Sequence, residues 1–531
     1  MPWPLPRPAD QSPPFGILRL MGLFSTLRRS IGLAWCATLV ATPPVMQDAQ
    51  RRALFESLQP RSLHEMAAFA ELFPGCSEGR QARQRVWALL SGEPSEDPPP
   101  AWPADLVHKM VNRFIFPQSD PPPVLSAEQK HVLLRLQHRL KHRHLLGRLI
   151  ETEEDLQALP VEEIDLARGL LLTQRIPIDV IESYEHCLDL MALQVLAQLP
   201  EDPSPIDLLR ALNDYVFVQQ RFRFPAHSRM TLEIDQWTLL SQVMDRRKGV
   251  CQGVSQLYLC LAQRLGLPLE IITPPGHIYI RYHQGDLIWN IETTAHGVHL
   301  PTHAYLGLTT KALSTHTLKE VIGMSLYNAA AVPLHQGKPD EAIALYLRAK
   351  PYMGDEPILH RALGIAYFMA GQLKEARETL EPLRAYVDDQ QIVPMSLIGE
   401  ILDGEVDAEG LALLFEQVDP THVALKEYAQ RLRSALERSP RFFSGREQLA
   451  VIYLQLGRLG EALSELAIAY DQGARDAQLL YLLTELYLAR LDVHHAARHA
   501  AELRALLATA EHVPPLLERV EERIAQLGGG V

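Results

Sequence analysis

Cysteine is scarce in this chain: five in 531 residues, at positions 36, 76, 187, 251 and 260, an odd number without Cys-x-x-Cys spacing. That excludes a disulfide framework and a zinc knuckle, and it favours a reducing, cytoplasmic compartment. Long apolar runs are also missing. No stretch approaches the roughly 20 uninterrupted apolar residues of a membrane helix, so no span is expected. Basic charge is in deficit, with 51 Lys and Arg against 64 Asp and Glu and a net charge of -13. A chain with that overall field does not coat nucleic acid or an anionic membrane. Neither a phosphate-cradling glycine loop nor a Gly-x-Ser-x-Gly elbow occurs, and no cofactor is expected. Apolar residues are plentiful, at 47%, and the length exceeds the size at which a single core stops growing. Several domains are the consequence.

Residues 1–47 read as a disordered proline-rich tail, or as a secretory leader built on Arg28-Arg29 and the apolar run Ile31–Ala41. Residues 48–155 read as a helical region with proline-rich linkers. Leu54, Leu58, Met66, Phe69, Leu72, Val86 and Leu90 keep helical spacing, Pro60 and Pro74 divide it, and Glu93–Pro103 and Pro117–Pro123 interrupt it. Over residues 127–149 the stripe Leu133, Leu136, Leu140, Leu145 among Lys130, Arg135, Arg139, Lys141, Arg143 and Arg148 predicts one basic amphipathic helix. Such a face is either a solvated flank or a weak contact for RNA or acidic lipid.

The last third repeats itself. Gly337, Glu341 and Ala342 recur as Gly371, Glu375 and Ala376, and Leu449, Tyr453 and Ala462 recur as Leu483, Tyr487 and Ala496, in each case 34 residues on. This is the tetratricopeptide (TPR) period, with small residues where paired helices cross, and it predicts an α-solenoid over residues 321–526 that binds protein or peptide partners.

Between these regions lies a candidate nucleophile. Val254, Leu257, Tyr258, Leu259, Cys260, Leu261 and Leu265 form a helix apolar on most sides, ended by Gly266, and Cys251 sits at its open N-terminus. Unpaired N–H groups, the helix dipole and the upstream Arg246-Arg247-Lys248 there favour a thiolate. Cys260, inside the same helix, reads as a small core residue. Two strands follow, separated by His283-Gln284-Gly285-Asp286. Period-two alternation puts Ile278, Ile280, Tyr282, Leu287, Trp289 and Ile291 on one face, and His277, Tyr279, Arg281, Ile288, Asn290 and Glu292 on the other. A turn centred between Gln284 and Gly285 pairs 277 with 292 and 279 with 290. Glu292 is then opposite His277 and Asn290 diagonal to it, and either could hold the imidazole. The trio His296, His299 and His303 reads as a loop without an accompanying carboxylate, and no metal is expected.

Leu212-Asn213-Asp214-Tyr215-Val216-Phe217, Leu240 through Asp245-Arg246-Arg247-Lys248-Gly249-Val250-Cys251, Arg264-Leu265-Gly266-Leu267-Pro268 and Pro275-Gly276-His277 resemble the bacterial SirB-type transglutaminase-like family. That family often joins such a core to TPR repeats. The resemblance covers roughly residues 156–310. It implies a papain-like α+β core, set at 156–320, with Cys251 and His277 at the family's Cys and His positions. Asn290 stands where the family usually carries an acid, which makes Asn290 the expected third member and Glu292 its alternative. The expectation is a mostly α, multidomain cysteine acyl-transfer enzyme, a hydrolase, deamidase or transglutaminase, acting on a protein presented by the repeats. The competing expectation is a catalytically inactive TPR scaffold or regulator.

Overall fold

The computed structural model describes residues 47–94, 124–225, 237–308, 312–384, 396–508 and 514–528, with 122, 310 and 386 besides. The tail or leader of residues 1–46, the greater part of both proline clusters and the stretch just before Trp237 lie outside them. The chain divides into two compact units, Met1–His108 and Lys109–Val531. Among the described residues no helix is long and apolar enough to cross a membrane.

The first unit holds α1 (Asp48–Ser57), α2 (Leu63–Leu72) and α3 (Ser77–Ser91), with Pro60 and Pro74 in the connections. Ser62 caps α2 by accepting from Glu65 N–H, and Met66, Phe69, Val86 and Leu90 are buried as their spacing predicts.

In the second unit α4 (Ala127–Leu136) begins with a Ser126/Gln129 capping box. The expected single helix over 127–149 does not continue: after Leu136 the chain runs on as short 3-10 turns. Those turns carry His142 and Arg148 inward, and Gly147 passes so close to residues 163–165 that a Cβ there would lie 2.5 Å from Asp165 N. Then come α5 (Glu153–Ala158), α6 (Leu166–Thr173), α7 (Ile178–Ala197) and α8 (Pro205–Asn213), the last running into a π-helical turn, Asp214–Gln219. A short α9 (Leu240–Arg246) precedes α10 (Cys251–Leu265), which is buried along almost its whole length and closed by Gly266 at φ 72°.

An antiparallel sheet follows, of β1 (Leu269–Thr273), β2 (Tyr279–Gln284), β3 (Leu287–Glu292), β4 (Val298–His299) and β5 (Ser314–His316), in the order β4-β3-β2-β1-β5. The α10 helix is tied to α7 by a buried charge cluster. Arg264, wholly buried, donates from Nε to Asp189 Oδ1 at 2.8 Å, while Arg148 and Gln137 donate to Asp189 Oδ2 at 2.7 and 2.6 Å. Burial alone would raise the Asp189 carboxyl, but Arg264, His142 and Arg148 hold it far below the usual range.

The repeats are α11 (Leu318–His335), α12 (Pro339–Met353), α13 (Pro357–Met369), α14 (Leu373–Leu380), α15 (Ser396–Leu402), α16 (Ala408–Phe415) and α17 (His422–Arg438). After them come α18 (Phe443–Gln455), α19 (Leu459–Asp471), α20 (Ala477–Ala489), α21 (Val493–Leu506) and α22 (Pro515–Gln526). The 34-residue period has a backbone cause: the turns inside the four regular pairs each use a left-handed residue, Gly337 (φ 70°), Gly371 (75°), Gly457 (72°) and Leu491 (59°). Ala342, Ala376, Ala462 and Ala496 are buried at the recurring small positions. In the middle of the array Gly404 (φ 71°) makes the same left-handed turn between α15 and α16, but Glu409 stands where the regular pairs carry alanine. The first repeat docks on the core: Lys319 Nζ donates to Gln157 O at 2.6 Å, Arg348 to Thr173 O at 2.9 Å and Asn328 Nδ2 to Gln252 Oε1 at 2.5 Å.

Candidate active site

Cys251 is the first residue of α10, and its N-cap neighbour Val250 offers no side-chain cap. The first-turn N–H groups therefore surround the thiol without a competing side-chain acceptor. The helix mouth is held from outside by backbone: Val250 N–H donates to Trp237 O at 3.2 Å, and Trp237 O comes so close to Gly253 that a Cβ there would lie 2.1 Å away. From inside, Thr293 Oγ1 donates to Cys251 O at 3.5 Å and shares a 3.1 Å hydrogen bond with Ser255. Cys251 is half-buried. Cys260 is fully buried, and burial pushes its thiol well up, as befits an inert core residue.

His277 lies in the turn before β2, its N–H on Pro274 O at 3.0 Å. Its Nε2 pairs with Glu292 Oε2 at 2.7 Å, and Cys251 stands near enough to act on the charge of the ring. With Nε2 committed to the carboxylate, Nδ1 is the nitrogen left for sulfur. Burial alone would lower this imidazole, but Cys251 and Glu292 raise it to about 10. Burial would likewise raise Glu292, and His277 with the Thr294 hydroxyl and N–H holds it below the usual carboxylate range. Tyr305 stacks on His277 at 6.0 Å and on Tyr279 at 3.7 Å between ring centroids, which walls the imidazole on one side.

The structure sets Glu292, the alternative third member, on His277 and places Asn290 on other partners. The reason is register. The strands pair Ile280 with Ile291, Arg281 with Asn290 and Gln284 with Leu287, so the hairpin closes on the two-residue loop Gly285-Asp286, one residue later than expected. Faces are preserved because each strand slips by one residue relative to the expected centre. Glu292 falls on the diagonal from His277, and Asn290 moves opposite Arg281. Asn290, fully buried, accepts from Arg281 Nε at 3.0 Å and donates to Leu300 O at 2.9 Å and Thr302 Oγ1 at 3.3 Å. It pins the segment that delivers Tyr305 to the site. Nothing local in the sequence singles out Tyr305, whose role depends on that segment's return.

The segment Leu212–Phe217 is explained by the loop after Glu292. Asn213 Nδ2 donates to Gly297 O at 3.2 Å, Tyr258 OH donates to Asn213 Oδ1 at 2.8 Å, and Phe217 meets the His296 ring edge-on at 6.0 Å. The trio His296, His299 and His303 is dispersed: His296 packs on Phe217, and His299 Nδ1 accepts from Asn290 N–H at 3.0 Å. Among the described residues no three ligand-type side chains form a cluster that could hold a metal.

A half-buried thiol at an uncapped helix mouth, followed by an antiparallel sheet that brings up a His and its carboxylate, agrees with what comparison finds: residues 182–322 match the transglutaminase-like superfamily. Those residues form a transglutaminase-like domain. No curated protein matches the chain. Solved structures similar to it include TPR proteins. A thermophilic TPR protein of Thermus thermophilus shares 19% identity, covering 39% of this chain and 98% of its own, with a TM-score of 0.20. MamA from Desulfovibrio magneticus RS-1 shares 16%, covering 36% and 97%, with a TM-score of 0.19. YrrB, described as a TPR protein with an unusual peptide-binding site, shares 19%, covering 38% and 92%, with a TM-score of 0.19. The repeat assignment itself rests on the chain's own 34-residue period and its left-handed turns.

Proposed function

We propose that this chain is a cysteine acyl-transfer enzyme of the SirB-type branch of transglutaminase-like proteins, with Cys251 as nucleophile, His277 as proton carrier and Glu292 as the group that orients and charges the imidazole. The observation that carries this reading is the 2.7 Å His277–Glu292 pair on an imidazole whose charge Cys251 also favours. An imidazolium between a carboxylate and a sulfur supports a thiolate and is ready to donate a proton. Cys251 Sγ attacks the carbonyl carbon of a carboxamide or peptide bond, and N–H groups of the helix mouth take the oxyanion. Collapse breaks the C–N bond, and His277 gives its proton to the leaving amine. Water then attacks the thioester, His277 accepting its proton, to complete hydrolysis or deamidation; an amine in place of water completes cross-linking. In this reading the core spans 156–320, and the repeats of 321–526 hold the protein substrate.

The test is intact-mass detection of a hydroxylamine-labile adduct on Cys251 after incubation with a peptide library and an acid quench. An adduct that disappears in Cys251→Ala and in His277→Ala supports the reading. The absence of any adduct, with partner binding unchanged in Cys251→Ala, favours the non-catalytic scaffold.

A further inference from the structure

Two short segments lie side by side just upstream of the helix mouth. Arg223 and Lys248 form a parallel bridge, in which Arg223 N–H donates to Arg247 O and Gly249 N–H donates to Arg223 O, both at 3.2 Å. Each segment passes through a non-glycine residue in the left-handed region, Arg221 at φ 57° and Arg247 at φ 53°. Strained backbone of this kind persists where the surrounding structure holds it in place, and it concentrates at functional sites. Its product here is an asymmetric display of charge. The Arg247 side chain turns inward, donating to Gln220 O at 3.2 Å, while Arg221, Arg223 and Arg246 remain exposed. Lys248, half-buried, holds its Nζ 5.2 Å above the Trp237 ring. Arg221, Arg223, Arg246 and Lys248 form no ion pair with a carboxylate among the described residues, and Asp245 beside them is buried and bound by Tyr184 OH at 2.7 Å.

Lys248 precedes Cys251 by three residues, a reach of at most about 10 Å. The bridge to Lys248 holds the backbone of Arg223 beside the residues that lead into the nucleophile. In a protein of net charge -13 this cationic rim is a local exception, small enough for a few side chains of a substrate and opposed by the field of the whole molecule for any large polyanion.

We propose that Arg221, Arg223, Arg246 and Lys248 select an acyl donor with Asp and Glu flanking the attacked carbonyl, so that the substrate class is an acidic peptide segment of a protein. This rests on the acyl-transfer reading above. The test uses the full chain carrying Cys251→Ala and measures fluorescence anisotropy with a labelled Asp/Glu-rich peptide, its Asn/Gln counterpart and an RNA oligonucleotide of equal charge, at about 50 mM and about 150 mM salt. The acidic peptide binds at least about tenfold tighter than the amide peptide at the lower salt, and the double change Arg223→Glu with Arg246→Glu removes that difference. Lys141→Glu with Arg143→Glu, on the other basic surface, leaves it intact. Equal binding of the two peptides, an unaffected double variant, or tighter binding of RNA overturns the proposal. Iodoacetamide labelling of Cys251 in the parent chain, set beside the peptide preference of its Cys251→Ala form, separates the two ideas. An unreactive thiol beside an intact rim preference would sink acyl transfer alone, and a reactive thiol without the preference would sink the rim alone.

Discussion

Replacing Glu292 by Gln keeps the size and an acceptor oxygen but removes the charge that His277 feels at 2.7 Å. A hydrogen bond to a charged group contributes about 1.5–3 kcal/mol, and 1.36 kcal/mol corresponds to one pKa unit, so the His277 midpoint falls by about one to two units. The starting value is about 10 in the folded chain against 6.5 without the protein, so the variant midpoint lies at about 8 to 9. The sign of the stability effect follows. Because folding raises this pKa, the protonated ring stabilises the fold fully below pH 6.5, and that stabilisation is lost as pH rises through 10. Glu292→Gln is therefore less stable than the parent at pH 6 and loses less on going to pH 10. Histidine-selective NMR titration of His277 reads the midpoint directly, and thermal melts across the same range read the linkage. An unchanged midpoint in Glu292→Gln together with a lowered one in Asn290→Ala would refute the assignment and return the third position to Asn290.

Asn290→Ala takes a donor from the partly buried Leu300 carbonyl and an acceptor from Arg281 Nε, and urea denaturation should show a loss of about 1–3 kcal/mol. Its His277 midpoint stays near that of the parent. Asp189→Asn removes the nearer of the two carboxylates of the wholly buried Arg264, leaving Asp165 at 3.8 Å, and should cost up to about 3–5 kcal/mol by the same measurement. In the parent, the stability from this depressed carboxyl is present above its unfolded value of 3.8 and is lost as pH falls below it. Gly253→Ala drives a methyl into Trp237 O, and Cys251 labelling should change in that variant even where the global fold survives. Leu491→Gly relieves a left-handed leucine that is 73% exposed, and it should stabilise the array by about 0.5–1 kcal/mol in thermal unfolding.

Cys251 at a helix mouth, Gly266 as its cap, the two faces of the hairpin and the paired helices of the repeats were legible because each has a local signal: apolar periodicity, a terminating glycine, alternation and a 34-residue frame. The choice between Asn290 and Glu292 was legible only in part. Parity keeps both on the face of His277, and it is the position of the family's acid, not the pairing, that favours Asn290. The register had its own signal: Gly285-Asp286 between alternating runs is a two-residue hairpin loop, and Gly285 takes the φ of 58° such a loop needs at its first position. The 127–149 segment misled for another reason. Its basic residues keep helical spacing, but His142 and Arg148 serve a buried carboxylate on a helix some forty residues away, which no local pattern records. The stacking of Tyr305 and the Asn328–Gln252 bond are tertiary in the same sense.

The central claim is that Cys251 is activated by a His277–Glu292 pair. It is tested most directly by the rates at which iodoacetamide modifies each cysteine of the full chain at pH 6, read by peptide mass spectrometry. Cys251 should react first, well ahead of the buried Cys187 and Cys260, and should slow at least about tenfold in His277→Ala. A Cys251 that reacts no faster than the half-buried Cys76, at a rate indifferent to His277, would contradict the account.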